Sequence, residues 1–463
     1  MRTVMCGFLI YAVVIICSAT TIHQVASLSS LLPTTTNSPS HHHGTEQQQE
    51  GHVVVKVLFD SSNHGHRSIQ YHPEQSERIT ACVTALQDYK NANNKNDESG
   101  LPLHLIDYAS EQQQQQQQQP ATSTAGTEHI PFSEDELSYA RSILVKTHSE
   151  AYVAGFENRC RLSRQQRLDE GKKPLGFIGY VDDGDTFLTT ETYDVCLRAC
   201  AAWIRCVDLV VQVPTTTDDP VDNIPTTTIT TTAMALTRPP GHHATQTSAN
   251  GFCMFNFAAA AAIHAVDHLK LKQVSILDWD VHYGQGVANI VQHMPQVRYV
   301  SMHQTPAFPY QGEKNEISGP CGNILTIPLP PHSNWTNCYQ AFFEIQVLPF
   351  VYSADNDLDP ATVSSWEPEL IIVCAGYDAL LSDELASCYL TASDFGKMTQ
   401  LLRERIDCQS NTKKPPPGVM LGLEGGYQLK KDLNGGNLAD AVVETVKALG
   451  CHRNPSYSEK EVE

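Results

Sequence analysis

Positive charge is scarce in this 463-residue chain: 31 Lys and Arg face 51 Asp and Glu, for a formal charge of −20. Such a surface repels phosphate backbones and argues against direct nucleic-acid binding. A basic partner, such as a lysine-rich protein or a polyamine, suits it better. Fourteen cysteines are present, yet no two form a CxxC pair. Neither a zinc knuckle nor a small disulfide scaffold is therefore indicated, and reduced, buried thiols are expected. Long apolar runs are missing beyond the N-terminus, where no segment reaches the roughly twenty residues of a membrane-crossing helix.

The N-terminus is different. MRTVMCGFLIYAVVIICSATT joins a basic start to an apolar run of roughly fourteen residues and then to Ser18 and Ala19, the shape of a signal or targeting segment over residues 1–27. It suggests endomembrane, secretory or plastid-type targeting, with an uncleaved anchor as the alternative. On a secretory route Asn334-Trp335-Thr336 becomes a glycosylation sequon. Residues 28–50 are too rich in Ser, Thr, Gln and His to bury a core and read as a disordered linker, and 453–463 as a flexible tail. Between them, 51–452 reads as one domain with low-complexity loop insertions near 110–128 and 214–232.

Within that domain, β-branched runs alternate with helical stretches. HVVVKVLF, AMALT, QVSILDWD, VRYVSMH, NILTIPLP, LIIVCAG and GVMLGLEGG are predicted strands. HPEQSERITACVTALQDY, TYDVCLRACAAWIRCVDLVV, FAAAAAIHAVDHLKLK, SDFGKMTQLLRERI and LADAVVETVKAL are predicted helices. The alternation predicts an α/β fold, a mostly parallel central sheet with helices on both faces. In such folds ligands bind beyond the carboxyl ends of the strands.

Reactive residues gather at those ends. SILDWDVHYGQG ends a strand in Asp278, Asp280 and His282, spaced by two, so all three turn to one side while Trp279 and Val281 turn to the other. The reading is a metal half-site or an acidic loop. Asp378, just past LIIVCAG, would complete an Asp, His, Asp set with an open coordination position, as in catalytic zinc sites. Two carboxylates leave Mn²⁺, Fe²⁺ and Co²⁺ open. GVMLGLEGGYQL leads into paired glycines and Tyr427, either a hydroxyl aimed inward or an aromatic plug. AMALT leads into Arg238-Pro239-Pro240-Gly241, a stiffened turn that presents His242 and His243.

Taken in order, RPPGHHA, GFCMFN, DWDVHYGQG, AGYDAL and LEGGY, with HPEQSERI near the start, resemble the histone deacetylase family, nearest its class II and bacterial-type members. The resemblance spans about Val53 to Leu449. It implies an arginase/deacetylase-like three-layer fold and zinc-dependent hydrolysis of acetyl amides on lysine side chains or related amines. By motif match Asp280, His282 and Asp378 bind one Zn²⁺, His242 and His243 are the tandem catalytic histidines with His243 the expected base, Asp278 orients His242, and Tyr427 stabilises the oxyanion. Gln285 stands where relatives carry Asp or Asn behind the second histidine; it is uncharged and one methylene longer. Gly251, Phe252 and Phe308 are implied to line the acyl-lysine tunnel, and K⁺ is implied near Asp278 and Ser301. Leu385 falls where polyamine-selective relatives place a glutamate, which favours acetylated lysine in a protein or peptide over acetylpolyamine.

Three rivals remain. An arginase-type dimetal hydrolase needs a carboxylate two residues after His282, where this chain has Gly284. Acetylpolyamine hydrolysis is the nearest enzymatic alternative. A weakly active acyl-lysine binding module is the third, and the complete ligand trio with Tyr427 speaks against it.

Overall fold

The computed structural model describes residues 53–93, 102–109, 126–181, 184–211, 230–353, 365–409, 415–432 and 434–450. The targeting segment, the linker, the glutamine run, most of the 214–232 insertion and the tail fall outside them.

One ten-stranded sheet organises the domain. Its spatial order is β3 (Thr127–His129), β2 (Leu103–Asp107), β1 (Val53–Phe59), β6 (Thr230–Leu236), β12 (Gly418–Leu423), β11 (Leu370–Ala375), β7 (Val274–Asp278), β8 (Val297–Gln304), β10 (Ile324–Leu329) and β9 (Glu316–Ser318). Neighbours pair in parallel except β9 with β10. A small antiparallel hairpin, β4 (Phe177–Tyr180) with β5 (Phe187–Thr189), stands apart.

Both faces of the sheet are covered, which parallel strands require because each side chain row must leave water. In β11, Ile371, Val373 and Ala375 join one apolar cluster and Leu370, Ile372 and Cys374 the other, the period of two expected of a strand. The first cluster draws on α1 (Glu77–Asn93), α7 (Ala392–Gln409), α8 (Leu438–Gly450) and a wide helical stretch, Trp335–Val351. The second draws on α2 (Glu134–Thr147), α3 (Glu150–Asp169), α4 (Thr192–Val210), α5 (Phe257–Asp267) and α6 (Gln285–Val291). Close packing needs glycine at one point: a β-carbon on Gly422 of β12 would overlap the indole of Trp203 in α4.

Several boundaries differ from the sequence reading. β6 begins at Thr230, inside the expected insertion, because Thr230–Thr232 pair with Val53–Val55 of β1. His72–Ser76 are not helical; α1 starts at Glu77. α2 and α3 were not anticipated. α2 opens with a capping box, Ser133 with Glu136, whereas α3 buries only Val153, Phe156 and Cys160 and so shows little apolar periodicity. Asn334 of the sequon caps the Trp335–Val351 stretch, its Oδ1 accepting the Asn337 N–H at 3.0 Å. Eight of the described cysteines are buried, and Cys321 and Cys408 are exposed.

Candidate active site

Five adjacent strands, β6, β12, β11, β7 and β8, deliver their carboxyl ends to one place. Asp278 ends β7, and the alternation runs on past it: Trp279 and Val281 are wholly buried in the core while Asp280 and His282 turn the other way. Asp378 arrives from the loop after β11. Ligand atoms of Asp280, His282 and Asp378 all lie within 4.8 Å of one another and are buried. His282 Nδ1 is 3.2 Å from Asp280 Oδ1 and 3.0 Å from Asp378 Oδ2. Glycines make the room: a β-carbon on Gly376 would overlap the Asp280 carboxylate, and one on Gly425 the Asp378 carboxylate. Backbone N–H groups then aim the carboxylates, Gly425 donating to Asp280 Oδ2 at 2.8 Å and Val281 to Asp378 Oδ1 at 2.9 Å.

Crowded buried carboxylates repel, and burial with the neighbouring Asp280 raises the Asp378 carboxyl above its ordinary range. Two carboxylates and an imidazole, converging and desolvated, form a donor set that fits a divalent cation.

The histidine turn is held from beneath. Arg238 grips Glu74 with two nitrogens, Nε to Oε1 at 2.7 Å and Nη2 to Oε2 at 2.5 Å, and donates to the carbonyls of Asn63 and His66. Burial pushes the Glu74 carboxyl up, but Arg238, His66 and Arg78 bring it down to about 2. Glu424 Oε2 accepts the N–H groups of Gly241 (2.6 Å) and His242 (3.0 Å). His242 Nδ1 donates to Asp278 Oδ2 at 3.1 Å, and the Tyr299 hydroxyl donates to the same oxygen at 2.8 Å. His243 Nδ1 lies 2.6 Å from Gln285 Oε1. The amide orientation is set by Gln285 Nε2, which donates to the His243 carbonyl at 3.4 Å. An amide oxygen only accepts, so Nδ1 of His243 carries the proton and Nε2 is left as its base.

The two imidazoles meet at a tilt of 42° with ring centroids 3.9 Å apart, and their surroundings push their pKa values in opposite directions. Burial opposes protonation of His242, but Asp280 and Asp278 carry it up to about 10. Burial, with the neighbouring charges of His242 and His282, holds His243 well below its ordinary value.

Tyr427 follows the Gly425-Gly426 turn, where Gly426 has φ +109°. Its N–H donates to Asp383 Oδ2 at 2.7 Å, and the Arg78 guanidinium lies 4.7 Å from its ring centroid. Arg78 also donates to the carbonyls of Gly426 and Glu424. Phe252 meets the Tyr427 ring edge-on at 5.7 Å, and Phe308 meets His243 at 4.9 Å. Gly251, with φ +50°, fits between: a β-carbon there would come 2.6 Å from His243 Cδ2 and 2.7 Å from Phe308 Cε1. Leu385 is half-buried on the Asp383 loop, its N–H donating to Asp383 Oδ1 at 3.0 Å. Ser301 pairs across from Asp278, and its hydroxyl bonds to His303 Nδ1 at 2.9 Å.

The structure thus brings His242, His243, Asp278, Asp280, His282, Gln285, Asp378, Tyr427, Gly251, Phe252 and Phe308 around one centre. Sequence reasoning missed Glu74, Arg78, Asp383 and Glu424, which hold those residues in place. Charged residues inside apolar surroundings were the available signal, Glu424 directly after the apolar run of β12 above all.

The chain matches the histone deacetylase domain family over residues 72–445. An uncharacterized protein of Synechocystis sp. is 31% identical over 398 residues, covering 86% of this chain and 99% of that protein. The chain belongs to the histone deacetylase family. Histone deacetylase 10, chloroplastic, of Oryza sativa subsp. japonica is 28% identical, with 83% of this chain and 71% of that one covered. Polyamine deacetylase HDAC10 of Homo sapiens is 32% identical over 227 residues, 47% of this chain and 29% of that protein. The crystal structure of the HDA15 HD domain superposes with a TM-score of 0.58 at 21% identity, covering 86% of this chain and 89% of that one, and shows the shared fold. Membership of this histone deacetylase family supports a deacetylating, metal-dependent hydrolase.

Proposed function

We propose that this deacetylase removes acetyl groups from lysine side chains of proteins, with one Zn²⁺ held by Asp280, His282 and Asp378. The observation that carries this reading is the placement of His243, its Nδ1 2.6 Å from Gln285 Oε1 and its ring 6.0 Å from that of His282 in the ligand trio. When bound, the metal supplies Lewis-acid chemistry, polarising the acyl carbonyl and acidifying water. His243 Nε2 takes the proton of the attacking water and later returns one to the leaving amine. His242, charged and tied to Asp278, adds positive charge next to the reacting carbonyl. Tyr427 donates its hydroxyl proton to the oxyanion as the carbonyl becomes tetrahedral. Gly251, Phe252 and Phe308 wall the lysine stem, and Leu385 borders its entrance.

Acetylpolyamine hydrolysis is the second reading, favoured by the likeness to human polyamine deacetylase HDAC10. Leu385 weighs against it, since a leucine offers a cationic substrate nothing. Rates on an acetyl-lysine peptide and on N-acetylputrescine decide between the two. Metal analysis of the purified protein identifies the ion. Tyr427→Phe should lower kcat by about 10²-fold while the metal stays bound; turnover equal to the parent would end the role given to the phenol. Organelle targeting is also proposed, supported by the chloroplastic designation of the rice relative.

A further inference from the structure

Phe252 holds a conformation that its own sequence does not favour. Its φ is +68°, in the left-handed region where a β-carbon is crowded, and the preceding Gly251 is left-handed too. Only surrounding structure can keep a bulky residue there. The grip comes from the β4–β5 hairpin, an element that the sequence reading gave no role. The Phe252 N–H donates to Thr186 Oγ1 at 3.0 Å, and that hydroxyl donates in turn to Asp185 Oδ1 at 3.0 Å. Thr186 itself is wholly buried, which holds its hydroxyl in place. The same turn holds a second neighbour of Phe252. His72 Nε2 donates to the Asp185 carbonyl at 2.8 Å while its Nδ1 accepts the Glu74 N–H at 3.1 Å, which fixes the ring. That ring meets Phe252 edge-on at 4.6 Å and Phe187 of β5 at 4.8 Å. Phe252 is thereby wedged between His72 and Tyr427.

Resting on the deacetylase reading above, we infer that Thr186 is a positioning residue that sets the width of the acyl-lysine channel by pinning Phe252 in its left-handed conformation. The hydroxyl touches neither substrate nor reacting atoms. Removing it takes away the partner of this half-buried N–H and the restraint that offsets the strain. Phe252 then relaxes toward negative φ, its ring leaves the channel wall, and the hold on the lysine stem loosens with it.

The test compares the full chain as parent, Thr186→Val, which keeps the shape without the acceptor, and Thr186→Ser, which keeps the hydroxyl. Each is assayed on an acetyl-lysine peptide, with metal content and melting temperature measured alongside, and the crystal structure of Thr186→Val is determined. The expected result for Thr186→Val is a KM for the acetyl peptide raised about tenfold with kcat changed far less. Phe252 should have left φ near +68° in its structure, and Thr186→Ser should restore the parent's values to within about twofold. A parental KM in Thr186→Val, or an unmoved Phe252 in its structure, overturns the inference. Should the parent itself fail to turn over acyl-lysine while Phe252 moves in Thr186→Val, the functional reading fails and the pinning stands.

Discussion

Protonating His148 should loosen the turn that carries the two active-site histidines. His148 is 1% exposed, and both ring nitrogens are committed: Nδ1 donates to the Thr245 carbonyl at 2.8 Å, and Nε2 accepts the Asn256 N–H at 2.9 Å. Only the neutral ring can do both, because a second proton turns the acceptor into a donor. Burial accordingly pulls its pKa from 6.5 down to about 4. That difference corresponds to about 3 kcal/mol of preference for the neutral form. Since the folded value lies below the unfolded one, the contribution is complete above 6.5 and drains away as the pH falls toward about 4, at up to about 1.4 kcal/mol per pH unit. The damage reaches the site, for Asn256 caps α5 through the Ala259 N–H and donates to the Ala244 carbonyl just after His243. His66 and His303 are also displaced, to about 3 and about 4, so the informative quantity is a difference between parent and His148→Gln. Glutamine retains an acceptor and does not titrate. Urea melts across this window should show the parent's stability relative to the variant falling by about 1.4 kcal/mol per pH unit. A difference that stays constant with pH would refute the assignment of a forced neutral ring.

Gly422→Ala should destabilise the fold by about 1–3 kcal/mol or prevent folding, because its β-carbon meets the Trp203 indole between sheet and helix; thermal melts measure it. Gln285→Leu should cut turnover about tenfold or more with metal content unchanged, since His243 loses the acceptor that orients it, while Gln285→Asn should keep more of the rate; steady-state kinetics on an acetyl-lysine peptide checks both. Asp280→Ala should abolish tight metal binding, read by metal analysis, because it removes one of the three donors.

The Asp280 and His282 half of the candidate metal trio was legible in the sequence because its geometry is local, and Asp378 because it too follows an apolar strand. Two-residue spacing past an apolar run says which side chains share a direction, and Asp278, Asp280 and His282 follow that rule even though β7 ends at Asp278. The parallel sheet was legible for the same reason: buried strands are apolar over their whole length. What escaped is long-range. Arg238 and Glu74 lie 164 residues apart, Gly241 and Glu424 183 apart, and no local pattern foretells either pairing. α3 escaped for a different reason: with three buried residues among twenty, its helical stripe is too thin to stand out. Thr230–Thr232 read as part of a polar insertion because nothing in a threonine run reveals that a neighbouring β1 will pair with it.

These long-range partners share a logic that separates them from the residues they serve. Glu424, Asp383 and Glu74 are buried acids, and each accepts hydrogen bonds from a loop at the candidate site: Glu424 Oε2 from the histidine turn, Asp383 from the Tyr427 turn, Glu74 from Arg238 at the start of the histidine segment. Burying a carboxylate is costly unless donors surround it. The backbone N–H groups of an irregular loop are such donors and would themselves be costly to leave unpaired. Glu424 and Asp383 therefore ease both penalties at once, Glu74 anchors its segment through the Arg238 guanidinium instead, and the geometry leaves each loop one position. That is how segments carrying glycines and prolines, the most permissive and the stiffest of residues, come to present His242, His243 and Tyr427 at fixed places beside Asp280, His282 and Asp378.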